Sequence, residues 1–209
     1  MSIYKSNYSY MYNDSKQGYS YSYIAPVVIK ILKDCKNLRI LELGCGNGYF
    51  CNVLSGIGHE VVGVDVSETG IESANNYFSE IRFIKSDIYD LLTSPMLTSE
   101  FFDVVIAIEV IEHLQYPREL IKVAKKYLKR GGQLIISTPY HGYFKNLAIS
   151  LLNKWDDHFS VFWDVGHIKF FSVKTLKKML EDEGFNDIRF RFSGRLPAFW
   201  KSIICIGKK

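Results

Sequence analysis

Leu38-Arg-Ile-Leu-Glu-Leu-Gly-Cys-Gly-Asn-Gly-Tyr-Phe-Cys-Asn-Val-Leu54 is an apolar run that passes through three alternate glycines straight into an amphipathic segment. Residues 38–43 are too short and too apolar for a surface helix and read as a buried parallel strand, whereas Phe50, Val53 and Leu54 take up helical spacing. Gly44, Gly46 and Gly48 mark the bend between the two. Lacking Cβ, they permit positive φ and let a ligand lie against bare backbone at the carboxyl end of a strand, where open α/β sheets bind their ligands.

The spacing narrows the ligand. A dinucleotide turn, G-x-G-x-x-G, would carry its third glycine at position 49, where Tyr49 stands, and nothing basic sits in the turn to meet a phosphate. Glu42 lies two residues before the turn, and a second apolar strand, Glu60 to Val64, is closed by Asp65. A carboxylate at the end of that strand can accept from both ribose hydroxyls. A nucleoside with an uncharged or cationic tail therefore fits better than a nucleotide.

Five stretches occur in a recognisable order: Glu42-Leu-Gly-Cys-Gly-Asn-Gly48, Asp65, Ser86-Asp-Ile88, Glu109-Val-Ile-Glu-His-Leu114 and Gly131-Gly-Gln-Leu-Ile-Ile-Ser-Thr-Pro139. Together they resemble the class I S-adenosylmethionine-dependent methyltransferases, most closely the ubiquinone-biosynthesis O-methyltransferase type, over residues 38 to 193. The resemblance implies an α/β fold, a Rossmann-like, mostly parallel seven-stranded sheet with helices on both faces, completed by a C-terminal antiparallel hairpin from Asp187–Phe192 and Trp200–Ile206. It also implies S-adenosylmethionine as cofactor and S-adenosylhomocysteine as product. The cofactor would be held by Glu42, Gly44, Gly46 and Gly48, by Asp65 with Val66 at the ribose, and by Asp87 and Ile88 at the adenine. Ile108 and Glu109 would meet the methionine part, and Tyr23 stands where some relatives place an arginine for the methionine carboxylate. Fold and cofactor do not fix the acceptor.

At 209 residues, with 47% hydrophobic and 23% charged side chains, the chain suits one domain of helices packed on both faces of a sheet. No apolar run approaches the roughly 20 residues of a membrane span, and residues 1–8 lack the apolar core of a signal peptide, so a cytoplasmic location is expected. Cys35, Cys45, Cys51 and Cys205 show no C-x-x-C spacing and read as free thiols. Basic residues gather late: Arg189, Arg191, Arg195, Lys201, Lys208 and Lys209 follow one another with no acid among them. That run suggests peripheral contact with an anionic membrane surface, or an anionic acceptor; a solvated strand face accounts for it as well.

Two stretches depart from the βα alternation. Residues 1–23 carry seven tyrosines mixed with Ser, Asn and Lys and read as an arm able to close over the cofactor, or as a frayed terminus. Residues 139–171 carry nine Phe, Tyr and Trp side chains with His141, His158 and His167, without a regular amphipathic period. A long aromatic insert after a strand's carboxyl end is expected to cap an acceptor pocket.

Methyl transfer from a sulfonium is an in-line displacement, so the protein's task is alignment in a dry pocket, plus removal of a proton if the acceptor is a hydroxyl. His113 is the best-placed base, five residues past the central strand Phe102–Ile108 and next to Glu112; His141 and His167 are second candidates. A structural role under the cofactor is the rival for His113. No metal site is expected, since the spacing of His141, His158 and Asp156 or Asp164 matches no compact ligand motif. The sequence thus points to a methyltransferase acting on a small, aromatic or lipid-like acceptor, with O-methylation favoured over C- or N-methylation. A non-catalytic cofactor-binding partner subunit is the alternative. No nucleic-acid substrate is expected, because Glu109-Val-Ile-Glu is not a base-flipping motif, and the oligomeric state is not legible.

Overall fold

A computed structural model describes residues 12, 14, 16, 18–159, 162 and 166–209. Helix α1 (Tyr21–Leu32) precedes strand β1 (Arg39–Leu43), α2 (Tyr49–Gly56), β2 (Glu60–Asp65), α3 (Glu68–Tyr77) and β3 (Arg82–Lys85). There follow β4 (Phe102–Ile108), α4 (Pro117–Tyr127), β5 (Leu128–Pro139), α5 (Tyr143–Leu151), α6 (Trp155–His158), α7 (Val173–Asp182), β6 (Asn186–Ser193) and β7 (Ser202–Lys208).

The strands form one sheet of order β3-β2-β1-β4-β5-β7-β6. The first five run parallel; β7 enters antiparallel between β5 and β6. Strand alternation divides the core into two layers. Leu41, Val62, Val105 and Leu134 face one side, where Leu120, Val123 and Tyr127 of α4 and Leu176 and Leu180 of α7 cover them. Ile40, Val61, Ile106 and Ile135 face the other, under Ile24 and Val28 of α1 and Phe50 and Leu54 of α2. These strands are buried on both faces and therefore read as continuous Val/Ile/Leu runs rather than as alternating ones.

The winding reverses between β1 and β4, so the turns that follow these two strands open a crevice at the carboxyl edge of the sheet. Ser67 caps α3 by accepting from the Gly70 N–H at 3.1 Å. Ser172 and Thr175 form a reciprocal capping pair at the start of α7.

Three expectations need correction. The insert is not irregular, because it contains α5 and α6. Its apolar residues gave no clean amphipathic period because α5 buries none of its residues: Tyr143, Phe144, Leu147 and Leu151 are all exposed. The late basic residues do not make one surface. Lys208 pairs in register with Gln133 at the amino end of β5, the opposite end of the sheet from Ser202. Arg189 is held bidentately by Asp187, and Lys209 donates to Glu100 at 2.9 Å. Strand β5 begins at Leu128, earlier than the apolar run Leu134–Ser137 suggests, because Lys129 to Gly132 continue the strand before its buried portion. Of the tyrosine arm, residues 1–11, 13, 15 and 17 lie outside the described residues, as do Trp163 and Asp164 of the insert.

Candidate active site

The glycine turn is fixed from three sides. The Gly44 N–H donates to the Val64 carbonyl at 2.7 Å, and the Gly46 N–H donates to Asp65 Oδ2, also at 2.7 Å. Gly44, Gly46 and Gly48 all have positive φ, 76°, 53° and 76°. Their surroundings differ. A side chain on Gly44 would collide with Val110, which follows β4, and one on Gly48 would lie 2.7 Å from Phe83 and 2.8 Å from Ala74. These two glycines admit close packing of neighbouring elements. At Gly46 the nearest atoms are those of the Tyr12 ring, with its hydroxyl 2.6 Å from a would-be Cβ, so the arm covers this face of the backbone. Tyr12 N–H donates to Thr69 Oγ1 at 3.1 Å, and the Asn47 side chain donates to the carbonyls of Asp14 (2.8 Å) and Lys16 (3.0 Å). The described part of the arm thus lies across the turn.

Asp65 is buried and serves the turn on both oxygens: Oδ2 accepts from Gly46 and Oδ1 from the Ser67 N–H at 2.7 Å. Burial raises its carboxyl above the usual range against the lowering pull of these N–H groups. With the Val66 N–H also directed at it, the carboxylate keeps one of its four lone-pair sites for a ligand hydroxyl. Val66, beside it, is a large apolar side chain left 51% exposed at this edge. Asp87 accepts from the Tyr89 N–H at 3.0 Å through Oδ1, a turn-forming bond, and Ile88 is buried behind it. Glu42 is fully buried under the turn, accepting from the Cys51 thiol at 2.9 Å and the Tyr21 hydroxyl at 3.3 Å. Burial pushes it up to about 8.

At the end of β4, Ile108 is buried and Glu109 adopts φ 53°, a strained value for a residue with a side chain. The strained backbone turns its carboxyl toward β5, where Oε1 accepts from Ser137 Oγ at 2.8 Å. Burial holds Glu109 at about 7. Tyr23 faces Glu109 from α1, with Lys201 stacked 5.0 Å from its ring centroid. Its ring therefore stands beside an acid at the end of β4.

Glu112, His113 and His167 converge. His167 Nε2 stands 3.9 Å from Glu112 Oε1, and the two imidazole rings meet edge-on with centroids 4.8 Å apart. The Glu112 carbonyl accepts from both Ile168 and Lys169 N–H at 3.0 Å, which ties the far end of the insert to the turn after β4. Glu112 is wholly buried and neither carboxyl oxygen has a hydrogen-bond partner. Its pKa lies well above the carboxylate range, first through burial and then through Glu109. His167 is pushed down to about 4, chiefly by burial and by His113, so it is neutral at pH 7. His141, also about 4 through burial, is packed instead among Phe159, Phe170 and His158, away from this group.

Although no metal site is expected from the spacing, Glu112, His113 and His167 each offer a ligand atom within 4.8 Å of one another. The two histidines are 54 positions apart, and their meeting depends on the loop returning across Glu112.

Several contributors escape sequence reasoning. Thr138, beside Glu112 at the end of β5, and Ser202, beside Glu109 in β7, are both buried, and the antiparallel register, Pro139 opposite Ser202, brings Ser202 to the crevice. Gly70 lies so close to the glycine turn that a Cβ there would be 2.8 Å from the Gly46 carbonyl. Its place in the first turn of the helix after Asp65 was the available signal.

A sheet wound in this order, with a glycine turn and two carboxylates at its reversal, defines a nucleoside-binding α/β protein. Residues 17–189 match the methyltransferase-domain family, and the chain belongs to that family. A ubiquinone biosynthesis O-methyltransferase of Ruegeria sp. (strain TM1040) is 28% identical over 200 residues, covering 92% of this chain and 79% of that one. Its counterpart in Rickettsia conorii is 34% identical over 113 residues, covering 52% of this chain and 37% of that one. In two further Rickettsia relatives of the same name the match covers 47% and 49% of their length, so the chain spans half or less of these relatives. Among solved structures, a SAM-dependent methyltransferase from Archaeoglobus fulgidus has a TM-score of 0.66 at 20% identity, covering 89% of this chain and 93% of that one. Magnesium protoporphyrin IX methyltransferase from Synechocystis PCC 6803, crystallised with SAH, gives 0.63 at 23% identity, with 89% and 81% covered. Both share the fold.

Proposed function

We propose that this protein transfers a methyl group from S-adenosylmethionine to a hydroxyl of a small aromatic or lipid-like acceptor. The observation that carries the proposal is the polar group at the carboxyl ends of β4 and β5. Glu112, with both oxygens unpartnered and fully buried, stands beside His113 and His167 at the reversal of the sheet. Leaving such atoms unpartnered costs about 1–3 kcal/mol, a cost that persists at sites meant to receive a polar ligand.

Asp65 and Val66 suit a ribose and its base, the bare backbone of Gly46 suits the adjoining chain, and Asp87 with Ile88 suits the adenine edge. When bound there, the cofactor supplies an electrophilic methyl on a sulfonium that leaves as a neutral thioether. The chain's own work is to exclude water and to take the acceptor's proton. His113 Nδ1 stands 3.2 Å from the Gly166 carbonyl; in the tautomer that donates there, Nε2 is the nitrogen that accepts a proton. Glu112, protonated in the fold, offers the carbonyl oxygen of its carboxyl as an acceptor beside the imidazolium that forms.

The names of the Ruegeria and Rickettsia relatives favour oxygen over carbon or nitrogen as the methylated atom. The exposed apolar face of α5 favours a lipid-like acceptor. S-adenosylhomocysteine formed from a hydroxylated aromatic pool, and lost in His113→Ala with cofactor affinity retained, supports the proposal. Tight cofactor binding with no turnover on any pool would make the protein a binding subunit. The 4.8 Å grouping of Glu112, His113 and His167 favours a second reading, in which a divalent cation held there orients the acceptor hydroxyl. Turnover abolished by chelation and restored by added metal would select it.

A further inference from the structure

A second polar cluster flanks Glu109, on the α1 side of the sheet. Ser193 and Ser202 are opposed in the β6–β7 ladder, so their side chains share one face; both hydroxyls are buried, that of Ser193 without a partner and that of Ser202 between Glu109 and Tyr23. Ser202 and Lys145 both lie beside Glu109. Lys145 stands in the first turn of α5, where a cation is disfavoured by the helix dipole. It is half-buried, and its ammonium donates to the Tyr140 carbonyl at 2.8 Å. Among the described residues neither Lys145 nor Arg195 forms an ion pair. Arg195, in the turn between β6 and β7, lies close enough to Lys145 to repel it, and His141, His158 and His167 all feel the Lys145 charge. Glu109 is the acid whose charge acts on Lys145, and its carboxyl is already engaged by Ser137.

Two cations held near each other, with the buried hydroxyls of Ser193 and Ser202 at the same end of the sheet, are complementary to anionic oxygens. The geometry points to an anion-accepting pocket in which Lys145, Ser193 and Ser202, with Arg195 at the mouth, take a carboxylate or phosphate carried by the acceptor. The acceptor's hydroxyl would then face Glu112, His113 and His167. This inference rests on the methyltransferase reading and adds the charge of its substrate.

The test uses the full chain loaded with S-adenosylhomocysteine and titrated calorimetrically with 3,4-dihydroxybenzoate, its methyl ester, and the corresponding aryl phosphate. The carboxylate or the phosphate is expected to bind at least tenfold tighter than the neutral ester, and the tighter of the two names the anionic group. Lys145→Met is expected to bring the ratio near one while leaving S-adenosylhomocysteine affinity unchanged. Lys145→Arg should keep most of the preference, and Arg195→Gln should lose part of it. Equal binding of ester and anion by the unaltered chain, binding of no probe, or a ratio unmoved in Lys145→Met would overturn the inference. Failure of S-adenosylhomocysteine itself to bind would instead overturn the cofactor reading, which keeps the two failures distinct.

Discussion

The Cys51 thiol donates a 2.9 Å hydrogen bond to Glu42 Oε2 directly beneath the glycine turn, and the acid is fully buried there. A carboxyl raised to about 8 in the fold, against 4.5 for an ordinary one, binds its proton more tightly folded than unfolded. The stabilisation is therefore complete below about pH 4.5 and is lost as pH rises through 8. Urea denaturation should show stability falling by about 1–3 kcal/mol between pH 5 and 9, and Glu42→Gln should flatten that slope. An equal slope in both proteins would remove Glu42 as its cause.

Glu112 carries two buried, unpartnered oxygens and is held neutral by its surroundings. Glu112→Met should stabilise the fold by about 1–3 kcal/mol, since no polar atom is then stranded. The same change should lower turnover about 100-fold or more, the scale of losing an acid–base partner. A variant that is less stable and still active would contradict both halves.

Gly46 and Gly48 separate binding from folding. Gly48→Ala places a methyl against Phe83 and Ala74 at a positive φ and should destabilise the fold by about 1–3 kcal/mol. Gly46→Val first meets the arm at Tyr12 rather than the packed core, so its main loss should be S-adenosylhomocysteine binding. Thermal melts and calorimetry on the two variants would read the split, and matching losses in both would reject it.

The parallel core was legible because strands buried on both faces leave unbroken apolar runs, as Phe102–Ile108 does, and because Gly44–Gly48 and Asp65 lie near one another in sequence. The other half of the site was not. Lys145 comes to Glu109 through a helix that the local pattern does not announce, Ser202 through the register of a hairpin whose strands were expected but whose pairing was not, and His167 reaches Glu112 only through a loop return. The helical course of α5 was hidden for a physical reason: with no buried face, its apolar residues follow no core-facing period. Asp87 shows the limit of motif reasoning, for its observed bond to the Tyr89 N–H is one that any turn-forming aspartate makes.

Asp65 bears most directly on the central claim, that the crevice between β1 and β4 holds S-adenosylmethionine. Because it also fixes the Gly46 and Ser67 N–H groups, Asp65→Ala should loosen the turn as well as remove the ribose acceptor. Titrating S-adenosylhomocysteine into the unaltered chain and into Asp65→Ala should show binding weakened by about 1.5–3 kcal/mol in the variant. No binding by the unaltered chain, or the same affinity in both, would contradict the account.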